Sequence, residues 1–130
     1  MIGQEILHKQ MPKQVRFENP VLTIDVAHPP IPQDEVEDIL LGVLSRLNNR
    51  PGTRILKIIH GYGSSGKGGK TKEVVLNWTY RHKSRFRTVI KGEEYTPFHR
   101  EVQRMRNELG LFDDVDLRTP NPGITICWVK

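Results

Sequence analysis

The chain has 130 residues, 36% of them hydrophobic and 27% charged, with a formal net charge of +5 and a pI near 9.6. That length and apolar content suffice for one domain with its own core, and they make disulfide or metal staples unnecessary. A single cysteine excludes a disulfide within the chain and fits a reducing, cytoplasmic setting. No apolar run approaches the ~18 residues of a membrane span and no basic-then-apolar leader is present, so no membrane partner is expected.

Residues 1–20 show no sustained periodicity and stop at Pro20; they are expected to form an N-terminal arm or a short extra element. The single α/β domain is expected over 21–130. Val21–Val26, apolar with Thr23 and Asp25 at alternate places, predicts a strand. Pro29, Pro30 and Pro32 stop it and lead into a helix over Gln33–Leu47, where Val36, Ile39, Leu40, Val43, Leu44 and Leu47 form one apolar face. Asp34, Glu35, Glu37 and Asp38 crowd its start and Arg46 and Arg50 its end, each sign matched to the helix dipole. Arg54–Ile59 is the second strand, and a crossover helix between two such strands predicts a parallel pair.

A second helix is expected from Thr71 to about His82, with Val74, Val75, Trp78 and His82 on one side, followed by a strand over Phe86–Ile90. Thr96-Pro97 reads as a helix start, hydroxyl at the cap and proline in the first turn. Phe98, Val102, Met105 and Leu109 then mark a buried face, which Gly110 ends. Val115–Leu117 is expected to add a short strand, and Ile124–Val129 a closing strand apolar enough to be covered on both faces. Cys127 in that strand reads as a small core hydrophobe. The expected fold class is therefore α/β: a two-layer sandwich of alternating strands and helices on a mixed, partly parallel sheet of about four strands.

Function is expected where the second strand empties into His60-Gly61-Tyr62-Gly63 and then Ser64-Ser65-Gly66-Lys67-Gly68-Gly69-Lys70-Thr71. Glycines let an outside group approach the main chain, lysines supply charge, and the following helix offers free N–H groups and a positive dipole end, a combination suited to phosphate. Glycine and serine runs also serve as plain linkers. Charge along the chain favours the functional reading. Residues 57–91 hold Lys57, Lys67, Lys70, Lys72, Arg81, Lys83, Arg85, Arg87 and Lys91 against the single acid Glu73, a net +8 that leaves −3 for the remainder. Positive charge gathered in this way is the footprint of a polyanion binder, so DNA or RNA is the expected partner.

If the first two strands are parallel, their carboxyl ends bring Asp25, His28 and His60 to the edge that carries the glycine loop, where open α/β sheets bind ligands. His60 as the imidazole that moves a proton, a second imidazole or a lysine that steadies charge and a carboxylate that orients an imidazole would suffice for acid–base chemistry on a phosphodiester. Each residue also has a structural role open to it: Asp25 as a turn cap, His28 as a loop residue, His60 bonded to a nearby carbonyl. Tyr62 and Tyr80 could reach a base for stacking. The five histidines, at 8, 28, 60, 82 and 99, have no zinc-ligand spacing, so no metal and no cofactor are expected.

Ile24-Asp25-Val26 followed by His28, the first amphipathic helix, the strand ending in His60-Gly61-Tyr62-Gly63, the basic helix and the final Gly123-Ile124-Thr125-Ile126 strand resemble the small MutS-related (Smr) domain over most of the chain from Val21 onward. The resemblance implies a two-layer α/β fold like the C-terminal domain of a bacterial translation initiation factor. It also implies DNA or RNA binding, with endonuclease activity in some members. It assigns binding and cleavage to Asp25 and His28 of the first motif and to the turn His60-Gly61-Tyr62-Gly63. The family spaces its aspartate and histidine by one residue and follows them with glycine; here Val26 and Ala27 intervene and Pro29 follows. Either the strand end bulges so that His28 recovers the role, or Ala27 stands in the histidine's place and cleavage is lost. The loop after His60 is longer and richer in lysine than the resemblance requires, and the 96–110 helix reads as an insertion.

Two rivals start from the same residues. Gly61 to Lys67 fits a nucleotide-binding phosphate loop until Gly68 stands where a hydroxyl should ligate magnesium; in the second register Gly69-Lys70-Thr71 fits, but Ser64 replaces the leading glycine. The other rival is a catalytically inactive adaptor that serves a larger protein assembly through its basic segment.

Overall fold

In the computed structural model, which describes residues 15–62 and 69–130, the described chain opens with a hairpin. Strand β1 (Val15–Glu18) runs antiparallel to β2 (Val21–Asp25), Val15 facing Ile24 and Glu18 facing Val21. Val15 and Phe17 pack against the core while Arg16 and Glu18 are exposed, the period of two that a half-covered edge strand needs. The stretch expected as an arm or a short extra element thus contributes a strand, and the Asn19-Pro20 turn joins it to the sheet.

Helix α1 (Gln33–Leu47) connects β2 to β3 (Ile55–Ile59), and the two strands pair in parallel with Asp25 opposite Ile59. Val36, Leu40, Val43, Leu44 and Leu47 are all fully buried, so the stripe spaced three and four apart is the face laid on the sheet. Burial of each such side chain contributes about 1.5–3 kcal/mol. Helix α2 (Lys70–Arg81) lies beside α1 and buries Val75 and Trp78. A turn then leads to β4 (Phe86–Lys91), helix α3 (Arg100–Leu109) and β5 (Ile124–Val129).

Strand β5 inserts between β3 and β4, antiparallel to both, giving a five-stranded mixed sheet in the order β1-β2-β3-β5-β4. The expected α/β class holds, with one strand more than the four expected, and that strand is β1. One face of the sheet, with Leu22, Ile24, Leu56, Ile58, Cys127 and Val129, joins the apolar sides of α1 and α2. The other, with Val21, Ile55, Ile90, Ile124, Ile126 and Trp128, joins Val102 and Met105 of α3. Cys127 is fully buried, which pushes its thiol pKa well up and leaves it a packing residue. Among the described residues, no helix is long and apolar enough to cross a membrane.

Two expectations need correction. Helix α3 begins at Arg100, not at Thr96: Tyr95 is fully buried after a tight turn at Gly92–Glu94, and the Thr96 and His99 N–H groups bond to Glu94 and Thr96 carbonyls in further turns. The cap is then His99, whose Nδ1 accepts the Glu101 N–H at 3.1 Å, and Phe98 is 87% exposed. Val115–Leu117 is a 3-10 turn and not a strand, because Asp114 accepts the Asp116 N–H at 3.0 Å and bends the backbone there.

Candidate site at the carboxyl edge of the parallel strands

Asp25 ends β2 and immediately turns the chain. Its Oδ1 accepts the N–H of Ala27 at 2.8 Å and of His28 at 3.0 Å, and Ala27 and Pro30 close the turn with an isolated bridge. The same carboxylate holds the His28 ring, with Nδ1 at 3.1 Å from Oδ1 and 3.0 Å from Oδ2. A carboxylate only accepts, so Nδ1 carries the proton, which makes Nε2 the basic nitrogen of the neutral ring. The His28 side chain is 70% exposed and that of Asp25 19%. The acid is thus sheltered and oriented while the base faces outward, the division of labour required of a carboxylate–imidazole pair in proton transfer.

His60 does not join them. Side chains alternate along a strand, and Asp25 pairs with Ile59, which packs toward α3; the next residue therefore points the other way, toward α1 and α2. There His60 is only 3% exposed, its Nδ1 donating to the Gly61 carbonyl at 2.7 Å and its Nε2 accepting from the Thr125 hydroxyl at 2.8 Å. Burial lowers its pKa, the Gly61 bond works against that, and the nearby Lys72 charge lowers it further. The expected grouping of Asp25, His28 and His60 in one constellation is corrected to a pair plus a buried, neutral brace. The brace fixes the strand end: the His60 and Gly61 N–H groups both bond to the Gly123 carbonyl, at 2.9 and 3.0 Å.

Gly61 takes φ +71, which a side chain would resist, and it lies against Ala27 of the β2 turn. A Cβ on Gly123, just before β5, would come within 3.1–3.3 Å of Asn121, Tyr62 and Gly61, so any side chain there requires those neighbours to give way. Tyr62, 56% exposed, stands over this seam. Gly63 and Lys67, expected in the nucleic-acid site, lie outside the described residues. Gly69 precedes α2 and offers no side chain as a cap, so the first-turn N–H groups of Lys70, Thr71 and Lys72 face the same edge with the positive end of the helix dipole. Lys70 is exposed; Lys72 donates Nζ to the Pro122 carbonyl at 3.1 Å, which ties it to the same seam.

The basic segment divides in two. Lys70 and Lys72 stand at one end of α2, and Arg81, Lys83, Arg85 and Arg87 at or beyond the other, about 18 Å away at 1.5 Å per residue. Arg81 pairs with Glu37 and Arg87 with Glu108, while Arg85 bonds the neutral Asn48 amide at 3.2 Å. Lys83 lies 4.4 Å from the centre of the Tyr80 ring. Positive charge gathered in one segment of the chain is thus divided in space, because a helix carries that segment across the height of the sheet.

Lys57 leaves the basic surface altogether. It is 6% exposed, and its Nζ donates to Asp114 at 2.5 Å and Asp116 at 2.7 Å. The Tyr95 hydroxyl donates to Asp114 at 3.0 Å and the Asn121 amide to Asp116 at 3.0 Å. Burial and the adjoining Asp114 charge push the Tyr95 pKa far above the ordinary phenol range. For Asp116 burial works upward, but the Lys57 and Asn121 hydrogen bonds prevail and hold it low. The signal was present in the sequence: a lysine inside Ile55-Leu56-Lys57-Ile58-Ile59 must find acids, and Asp113-Asp114-Val115-Asp116 supplies them. Among the described residues, no group of three or more His, Cys, Asp or Glu side chains is placed to hold a metal ion.

None of the family models, curated proteins or solved structures compared with this chain matches it.

Proposed function

We propose that this chain is an Smr-like nucleic-acid-binding domain that cuts phosphodiesters, with His28 as the general acid or base. The observation that carries this reading is the Asp25–His28 pair standing at the same strand-end edge as the uncapped, lysine-led start of α2. The helix start and Lys70 hold phosphate oxygens, Asp25 keeps the His28 ring protonated at Nδ1, and Nε2 takes or gives the proton at the scissile bond. His60 acts through the turn: it holds Gly61 and Tyr62 in place and touches no substrate. This assigns to His28 the proton transfer that the sequence alone suggested for His60.

The test uses labelled RNA and DNA oligonucleotides. Replacing Lys67, Lys70 and Lys72 together by alanine lowers affinity across all sequences and flattens the dependence on salt, since each lost phosphate contact removes about 0.9 from the slope on duplex DNA. His28→Ala slows cleavage by about 10²–10⁴ with binding retained. Unchanged affinity and salt slope in the lysine variant reject nucleic-acid binding at this edge. Tight binding without cleavage by the wild type rejects the nuclease and leaves an inactive binding domain.

A further inference from the structure

A groove of about 380 Å³ runs between the end of α2 and strand β4, away from the edge just described. Leu76, Phe86 and Val89 give it an apolar floor, and Thr79 and Thr88 add hydroxyls. Tyr80 lines one side with its ring 68% exposed, and Lys83 covers that ring at 4.4 Å. Of the two cations that line the groove, Arg87 is held by Glu108, whereas Lys83 has no acidic partner among the described residues, and no strand pairs with the outer edge of β4. A solvent-exposed tyrosine beside an apolar slot, with a lysine that no acid pairs at its ring, matches a flat ring that carries phosphate at its side.

We infer that this groove holds one unpaired base of a single-stranded nucleic acid, stacked on Tyr80, with its phosphate drawn to Lys83. The inference rests on the nucleic-acid reading above and names its substrate class. Because α2 separates the groove from the Asp25–His28 edge by roughly 15–18 Å along its axis, the strand lies along the helix and the two sites engage different nucleotides. A duplex keeps its bases stacked inside and cannot fill the groove. An acidic peptide would meet the cations and the β4 edge but has no need of the aromatic plate.

The experiment compares full-length wild type with Tyr80→Ala and Tyr80→Phe, using a single-stranded oligonucleotide, the same sequence as a duplex, and a single strand carrying 2-aminopurine. Tyr80→Ala is expected to weaken single-strand binding about tenfold, to leave duplex binding unchanged and to abolish 2-aminopurine quenching, while Tyr80→Phe retains all three. The ring is exposed, so melting temperature stays at the wild-type value and confirms that the variants fold. Equal loss on single strand and duplex, or no loss on either, overturns the base pocket while leaving nucleic-acid binding intact. Wild type that binds neither form overturns both readings. Displacement of the single strand by polyglutamate from wild type and Tyr80→Ala alike assigns the groove to an acidic peptide instead.

Discussion

The face of the sheet under α1 and α2 is filled with aliphatic side chains and Trp78, drawn from helices with long apolar stripes. The face under α3 is closed by a shorter helix and several turns, and it holds Lys57, Asp114, Asp116 and Tyr95 in its midst. The first face gains from every methylene it removes from water. The second buys order instead: Lys57 ties the 113–118 segment to the middle of β3, and Asp114 shapes the turn that delivers Asp116. Buried ion pairs are costly to desolvate, so such a cluster adds less net stability than its short contacts suggest, yet losing one member leaves charges stranded.

Removing one cation should therefore do the most damage. Lys57→Ala is expected to cost about 3–5 kcal/mol in urea unfolding at pH 7, because Asp114 is left buried without its counter-ion. The deficit should shrink as pH falls through the carboxylate range and the stranded acids become neutral; a loss independent of pH would show that packing, not charge, is responsible. Leu44→Ala on the other face is expected to cost about 2–5 kcal/mol with no such pH dependence. Replacing the cluster together, as Lys57→Met with Asp114→Asn and Asp116→Asn, should recover most of the Lys57→Ala loss. If the triple variant is as unstable as the single one, the two faces differ less than their chemistry implies.

The smallest effect concerns His60, a buried polar residue on the side of the apolar face. Its folded pKa lies below the ordinary 6.5, so the unfolded chain binds more protons just beneath that pH. The stabilisation is fully present above about pH 6.5 and is lost as pH falls through the folded value. Between pH 7.5 and 5.5 the wild-type melting temperature should fall more steeply than that of His60→Gln. Parallel slopes would mean that the ring is not held neutral by the fold.

Legibility followed the same division. Gln33–Leu47 and Ile124–Val129 match their expected bounds, because a long apolar stripe and an unbroken apolar run are local signals. Thr96-Pro97 is a valid helix start in isolation, but the backbone there is taken up by turns around buried Tyr95 and the helix begins at Arg100. Strand β1 was missed because Val15-Arg16-Phe17-Glu18 is too short to establish a period by itself. At the site, the parallel pairing that brings Asp25, His28 and His60 to one edge was legible. The face on which each side chain lies was not: it depends on register, and a shift of one residue reverses it. Lys57 reads in the sequence as one more cation of the basic segment because its partners lie 57 and 59 residues further along.

The place of β5 has a consequence for synthesis. It is last among the strands in chain order yet sits between β3 and β4, and all six of its residues are buried. Until those residues leave the ribosome, β3 presents an unpaired edge on that side and β4 has no neighbour to join. The nascent chain can assemble the β1-β2-α1-β3 unit early, but the glycine seam at His60 and Gly61 waits for Gly123. A chain stalled before residue 124 would leave the β3 edge unpaired and deprive α2 of the strand it packs on, the kind of surface on which chaperones act and aggregates start.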